Sequence, residues 1–308
     1  MEKKKYLVTG GAGFIGSHTT ECLLEVDNEV VVFDDLSTGS VENLREVWEQ
    51  IEFVRGCVTS IESLRDVIGS FNPDYLIHLA GLSSVTESIA DPKRNFDLNT
   101  RGLFNVLEAV RDSSVGRVVF SSSAAIYGDS WPKPGPISPY GLAKWQAEEI
   151  GRMYAKFFDI SVVALRYFNV YGSRQKGNSG VIGKYFSSAL DGKPLAVRGD
   201  GSQTRDFVHV SDVARANVIA CNVLTLLNGE GFDIGTGDSV SVRVLAEKIN
   251  RLVGSEAGIV HQDKIEGELM HSQSDVDLAR EHINFKAEID LDAGLQTVLQ
   301  CYTQSDNR

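Results

Sequence analysis

Tyr140 and Lys144 stand four residues apart, and on a helix that spacing puts both side chains on one face. A lysine ammonium beside a phenol favours the phenolate, so the pair predicts a Tyr140 pKa drawn down from about 10. Such a tyrosine can act as a general base on an alcohol. Upstream, Ser121-Ser122-Ser123 closes an apolar run, which places hydroxyls at a strand end where they can hydrogen-bond the same alcohol. The pair alone carries little weight, because nine tyrosines give it many chances to arise at random. It gains weight from a third group, Gly10, Gly13 and Gly16 in the stretch Thr9-Gly-Gly-Ala-Gly-Phe-Ile-Gly-Ser17. Glycines at this spacing let a strand turn sharply into a helix and bring the backbone close to a pyrophosphate. The helix N-terminus then offers unpaired N–H groups and a partial positive charge.

The elements that must hold these groups follow from the same sequence. Apolar runs at 6–9, 30–33, 51–54, 75–79, 117–121 and 162–166 alternate with helical patterns at 61–70, 101–112 and 144–158. That alternation predicts an α/β fold, a Rossmann-type doubly wound parallel sheet with helices on both faces. Ser138-Pro139 before Tyr140 is a helix-start signal. The second run ends in Asp34-Asp35, about 20 residues beyond the glycine turn, where a carboxylate binds an adenosine ribose diol. No basic residue lies between Phe33 and Leu44 to receive a 2′-phosphate, which favours NAD over NADP. The expected division is an NAD-binding domain over 1–172 and, over 173–308, a smaller α/β substrate lobe. Returns to the first domain are expected near 207–221 and 232–235.

Composition narrows the function further. The formal net charge of −12 argues against a nucleic-acid or anionic-membrane surface. Four dispersed cysteines without C-x-x-C spacing read as reduced thiols, and the N-terminus runs directly into the first strand, so a cytoplasmic protein is expected. No apolar run approaches the length of a membrane span, and the six histidines form no metal pattern.

At this point the chain resembles the extended short-chain dehydrogenases/reductases, and among them the nucleotide-sugar 4-epimerases of the UDP-glucose 4-epimerase type. The resemblance rests on the glycine stretch, Asp34-Asp-Leu-Ser-Thr-Gly39, His78-Leu-Ala-Gly81, Asn99-Thr-Arg-Gly102, Ser121 to Gly128, Tyr140 to Lys144, Arg166-Tyr-Phe-Asn-Val-Tyr-Gly172 and Arg205-Asp-Phe-Val-His209. It implies Ser123, Tyr140 and Lys144 as the catalytic set. It implies cofactor contacts from Gly10, Gly13, Phe14, Ile15, Gly16, Asp34, Asp35, Leu36, Ser37, Thr38, Gly39, Leu79, Ala80, Gly81, Asn99, Ser121 and Tyr167 as well as Tyr140 and Lys144. A UDP-sugar would meet Ser84 and Val85 near the sugar, Asn169 and Arg205 near the diphosphate, Ala196 and Arg198 beside the uracil, and Val181, Glu268 and Ser272. By the same resemblance helices over Gly102–Arg111 and Lys144–Phe158 pair into a homodimer.

Three positions depart from the family pattern. Cys57 stands where an acidic residue would face the adenine, Ile265 replaces a phosphate-binding arginine with Lys264 beside it, and the 128–138 loop is short. Seven residues after Ile265, the small Ser272 implies room for an N-acetyl group on the sugar. Ala124 and Ala125 follow Ser123 where the family's dehydratases carry an acid pair, and alanine neither donates nor accepts protons. Plainer roles stay open: Asn99 as a backbone bridge, Asn169 as a turn residue, Arg205-Asp206 as a surface ion pair. The expected activity is 4-epimerisation of a UDP-hexose by transient C4 oxidation. The alternatives are an NAD-dependent oxidoreductase with net redox and a non-enzymatic NAD-binding sensor.

Overall fold

The computed structural model describes residues 3–175, 180–263 and 269–305. The apolar runs of the first half become β1 (Lys5–Thr9), β2 (Glu29–Asp34), β3 (Ile51–Arg55), β4 (Tyr75–His78), β5 (Arg117–Ser123) and β6 (Ser161–Tyr167). Between them lie α1 (Phe14–Leu24), α2 (Ile61–Phe71), α3 (Val85–Ala90), α4 (Pro92–Phe96), α5 (Gly102–Val110) and α6 (Pro139–Phe158). The rest of the chain forms β7 (Asn169–Tyr171), α7 (Gly180–Leu190), β8 (Leu195–Arg198), β9 (Thr204–Arg205), β10 (Phe207–His209) and α8 (Val210–Asn222). It continues through β11 (Asn228–Ile234), β12 (Val240–Ser241), α9 (Val242–Val253), β13 (Ile259–Gln262), α10 (Asp277–Ile283) and α11 (Leu291–Ser305).

Seven strands make one sheet in the order β11-β6-β5-β4-β1-β2-β3, and β1 to β6 pair in parallel. The order reverses direction between β1 and β4, the kind of crevice where doubly wound sheets hold their ligands. Leu7, Val31, Leu76, Val118 and Val162 are buried and pack with the helices of one face into a single cluster. Strands covered on both faces must be apolar at nearly every position, which is why they read as unbroken runs. Helix α6 starts where expected: Ser138 Oγ accepts the Gly141 N–H at 3.1 Å and Pro139 occupies the first turn. The helix expected over 101–112 is α5, and a π-helical turn (Asp97–Arg101) joins it to α4.

The chain divides into two compact units. One comprises Met1–Tyr167, Val213–Asp233 and Asp277–Phe285, the other Phe168–Asp212, Ile234–Val276 and Lys286–Arg308. Residues 207–212, expected with the first domain, lie in the second unit because β10 pairs with β7 there. Its core gathers Tyr171, Ile182, Phe186, Leu195, Val197, Phe207, Leu245, Ile249 and Leu295. Among the described residues no helix is long and apolar enough to cross a membrane.

Candidate active site

The glycine turn after β1 is built by close backbone approach. Gly10 has φ +73°, and a Cβ there would lie 2.5 Å from the Ala80 nitrogen, so the turn rests against the Leu79–Gly81 loop after β4. A Cβ at Gly16 would collide with the Gly10 carbonyl oxygen, which fixes α1 tightly under the turn. Phe14 and Ile15 open α1, and its N-cap, Gly13, contributes no side-chain cap. The first N–H groups of the helix thus remain for an anion.

Asp34 ends β2 and is buried. Its two oxygens accept the Ala12 N–H at 2.9 Å and the Leu36 N–H at 2.8 Å, tying the glycine turn to the loop that carries Leu36, Ser37, Thr38 and Gly39. Burial raises its pKa, an effect these two N–H groups partly offset. Asp35 is also partly desolvated, yet hydrogen bonds from Ser37, then Cys57 and the charge of Arg94, bring its pKa below the usual value. Cys57, Thr59, Asp91, Lys93, Arg94, Asp97 and Leu98 join Asp35 and Ser37 around a cavity of about 370 Å³.

On the other side of the sheet's reversal, α6 lies along β5. Lys144 Nζ donates to the Ser121 carbonyl oxygen at 2.8 Å and to Ser121 Oγ at 3.2 Å. Ser123 lies near enough to the Tyr140 phenol for its hydroxyl to draw the phenol's pKa down. The expectation that Lys144 would lower the Tyr140 pKa is corrected here. Burial raises Tyr140, with the nearby Ser123 hydroxyl acting against it, and the ammonium is turned to Ser121. Burial likewise pushes Lys144 down to about 8. His78, at the end of β4, is held neutral near pH 7: burial and then the charge of Lys144 lower it to about 3. Its Nδ1 pairs with Thr9 Oγ1 at 2.7 Å.

Four arrangements sequence reasoning passed over surround this set. Glu148 is buried on α6, and Ser122 Oγ donates to it at 2.6 Å. Arg166 of β6 donates to both of its carboxylate oxygens, at 2.9 and 2.8 Å. The same guanidinium donates to the Tyr127 hydroxyl at 2.8 Å, which in turn donates to Asp233 of β11 at 2.6 Å. The fourth is the Tyr167 hydroxyl, which donates to Asn217 of α8 at 2.6 Å. A signal for Glu148 existed in its spacing, four residues beyond Lys144 as Lys144 is four beyond Tyr140.

The fit of this cradle to a dinucleotide can be tested on Asn99. Its Nδ2 donates to the Leu82 carbonyl and to Asn95 Oδ1, which is the backbone bridge foreseen as one option. Its Oδ1, however, is buried with no hydrogen-bond partner and lies against Gly81, where any Cβ would strike it. A buried acceptor left open beside the Lys144 ammonium wants a donor from a bound group. With the bare glycine turn, the uncapped helix and Asp34, the residues present fit the expected NAD.

Of the residues expected at the sugar, Ser84 caps α3 by accepting the Glu87 N–H at 3.1 Å, and Val85 is exposed beside it. The remainder belong to the second unit. Asn169 lies in β7 rather than in a turn, its N–H donating to the Asp206 carbonyl. Asp206 is buried, and it accepts N–H groups of Thr236, Gly237 and Ser274 together with the hydroxyls of Thr236 and Ser274. The surface ion pair considered for Arg205-Asp206 is thereby excluded. Arg205 and Ser272 come together on neighbouring segments, because Ser272 donates its N–H to the Thr204 carbonyl at 3.2 Å. Ala196 and Arg198 sit in β8 beside β13, and Val181 opens α7 against the core. Glu268, Ile265 and Lys264 lie outside the described residues. No cluster of metal-binding side chains exists among the described residues.

Comparison with known proteins converges on one family. The NAD dependent epimerase/dehydratase family model matches residues 6–235. A UDP-glucose 4-epimerase of Mycolicibacterium smegmatis is 34% identical over 309 residues, covering 96% of this chain and 97% of that protein. A Thermotoga maritima UDP-glucose 4-epimerase solved with UDP-glucose superposes with a TM-score of 0.92 at 33% identity, covering 98% of this chain and 99% of that one. A UDP-N-acetylglucosamine 4-epimerase of Methanobrevibacter ruminantium, solved with UDP-N-acetylmuramic acid, also gives 0.92, at 32% identity and with 99% and 100% coverage. The glycine cradle, Asp34 and the Ser123–Tyr140–Lys144 group on a sheet of this order thus belong to a member of the NAD-dependent epimerase/dehydratase family, an extended short-chain dehydrogenase/reductase whose cofactor is NAD.

Proposed function

We propose that this protein is a UDP-hexose 4-epimerase that oxidises the sugar at C4 and reduces it again on the other face. The observation that carries the reading is the alignment of α6 on β5, which sets Tyr140 near Ser123 and fastens Lys144 to Ser121. Bound NAD supplies a hydride acceptor that can also give the hydride back. Tyr140 takes the C4 hydroxyl proton and later returns it, while Ser123 hydrogen-bonds the same oxygen. Lys144, buried and fastened to Ser121, would hold the nicotinamide ribose of the cofactor. The nucleotide would be anchored by Asn169, Arg205, Ala196 and Arg198, leaving the sugar free to turn between the two steps. Ala124 and Ala125 supply no acid or base for loss of water, which supports epimerisation over dehydration.

The acceptable sugars would include N-acetylated ones, because Ser272 is small where the resemblance puts a gate. The exposed Phe104 of α5 and the exposed Met153, Phe157 and Phe158 of α6 support a homodimer formed through these helices. Proton NMR of the purified protein with UDP-glucose or UDP-galactose, and no added cofactor, should show each converting into the other. Tyr140→Phe should lower turnover on the order of 10²-fold or more. With NAD added in excess, steady build-up of NADH in place of the 4-epimer would instead establish net oxidation.

A further inference from the structure

Tyr140, Lys144 and Glu148 occupy every fourth position of α6 and so form one stripe along the helix. Each stands against a different serine of the facing strand end: Tyr140 lies near Ser123, Lys144 donates to Ser121, and Glu148 receives Ser122 Oγ at 2.6 Å. The third contact is a buried charge, and it is also the most heavily braced. Arg166 grips both oxygens of Glu148 and reaches on to the Tyr127 hydroxyl at 2.8 Å. Gly231 of β11 leaves room for this guanidinium, since a Cβ there would lie 2.5 Å from its Nη2. Residues on both sides of Ser123, Ser122 before it and Tyr127 after it, are therefore attached to one ion pair.

We propose that Glu148, acting through Ser122 and Arg166, is a positioning residue that sets the register of α6 on β5 and so the meeting of Ser123 with Tyr140. The inference rests on the catalytic reading of Ser123, Tyr140 and Lys144 given above. Glu148 itself stays behind the strand end and touches no reacting atom. Its effect is on alignment, and alignment of reacting groups is felt in turnover rather than in substrate affinity.

The test follows UDP-glucose/UDP-galactose interconversion by the holoenzyme, with bound NAD and melting temperature measured for every variant. Glu148→Gln keeps the shape but loses the charge, and should lower kcat on the order of 10- to 100-fold while KM and NAD content hold. Ser122→Ala cuts only the link to β5 and should lower kcat by about 10-fold. Because both act through one contact, the double variant should be no slower than Glu148→Gln alone, whereas unrelated losses of stability would add. An unchanged kcat in folded Glu148→Gln, or additive losses in the pair, overturns the proposal. If Glu148→Gln does not fold, Ser122→Ala decides: a fall in kcat at constant KM supports the proposal and an unchanged kcat overturns it. Tyr140→Phe, run alongside, separates the two levels. Activity retained in that variant removes the catalytic reading, while activity lost there but kept in Glu148→Gln removes only the positioning role.

Discussion

Replacing Asp34 by Asn should reverse the preference between NAD and NADP with little change in shape. The carboxylate accepts two backbone N–H groups, from Ala12 at 2.9 Å and from Leu36 at 2.8 Å, one on each oxygen. An amide can keep only one of these, because its NH2 would face the other N–H donor to donor. A hydrogen bond to a charged group contributes about 1.5–3 kcal/mol, and the one to the ribose diol is made only on binding, so its loss costs NAD up to about 3 kcal/mol. If that loss falls on binding, Kd for NAD rises on the order of 100-fold. For NADP the same change also removes a carboxylate that would repel the 2′-phosphate, so its Kd should stay level or fall. Calorimetric titration of nucleotide-stripped protein with each cofactor gives the ratio directly. Equal weakening of both would mean that the substitution merely loosens the glycine turn, and would refute the ribose argument.

Other expectations are as specific. The folded Lys144 pKa, near 8, lies below its ordinary 10.5, so the cost of burying the ammonium is fully present below pH 8 and fades as pH rises through that interval. The melting temperature of stripped Lys144→Met, relative to wild type, should therefore be higher at pH 7 than at pH 10; a pH-independent difference would contradict the assignment. Ser272→Tyr should abolish epimerisation of UDP-N-acetylglucosamine and spare UDP-glucose, as read by NMR, and equal loss of both would remove Ser272 as the gate. Phe157→Glu, at a side chain 64% exposed in the single chain, should shift the protein from dimer to monomer in light scattering. A wild-type monomer at micromolar concentration would end that reading.

The sheet and the glycine turn were legible in the sequence because each depends on local pattern. Strands such as Val30–Phe33 are apolar throughout since both faces are covered, and the glycine spacing states which backbone contacts are needed. Tyr140 and Lys144 were legible as a pair, but the direction of the Tyr140 pKa was not. Burial of the phenol decides it, and burial follows from how α6 packs in the finished fold. Arg166 and Glu148 are 18 residues apart on different elements, so nothing in composition or period announces that they meet. The return of Asp277–Phe285 to the first unit was equally hidden, since only Ala279, Ile283 and Phe285 of that mostly polar segment are buried.

That late return has a consequence for how the chain is made. His282 lies beside Phe232 with ring centroids 5.9 Å apart, and Arg215 stands over the Phe285 ring at 5.4 Å, so 277–285 covers apolar surface contributed by 213–233. During synthesis the earlier segments of the first unit leave the ribosome well before α10 exists. Their apolar surface must wait uncovered until residues 277–285 have been translated. The second unit likewise needs α11, whose Leu295 and Val298 join its core. Neither unit is a continuous stretch that could be finished first, so the usual order of domain-by-domain folding during translation is closed to this protein. A nascent chain stalled before residue 277 is left with a seven-stranded sheet already encoded and an exposed Phe232, and becomes a substrate for chaperones or proteases.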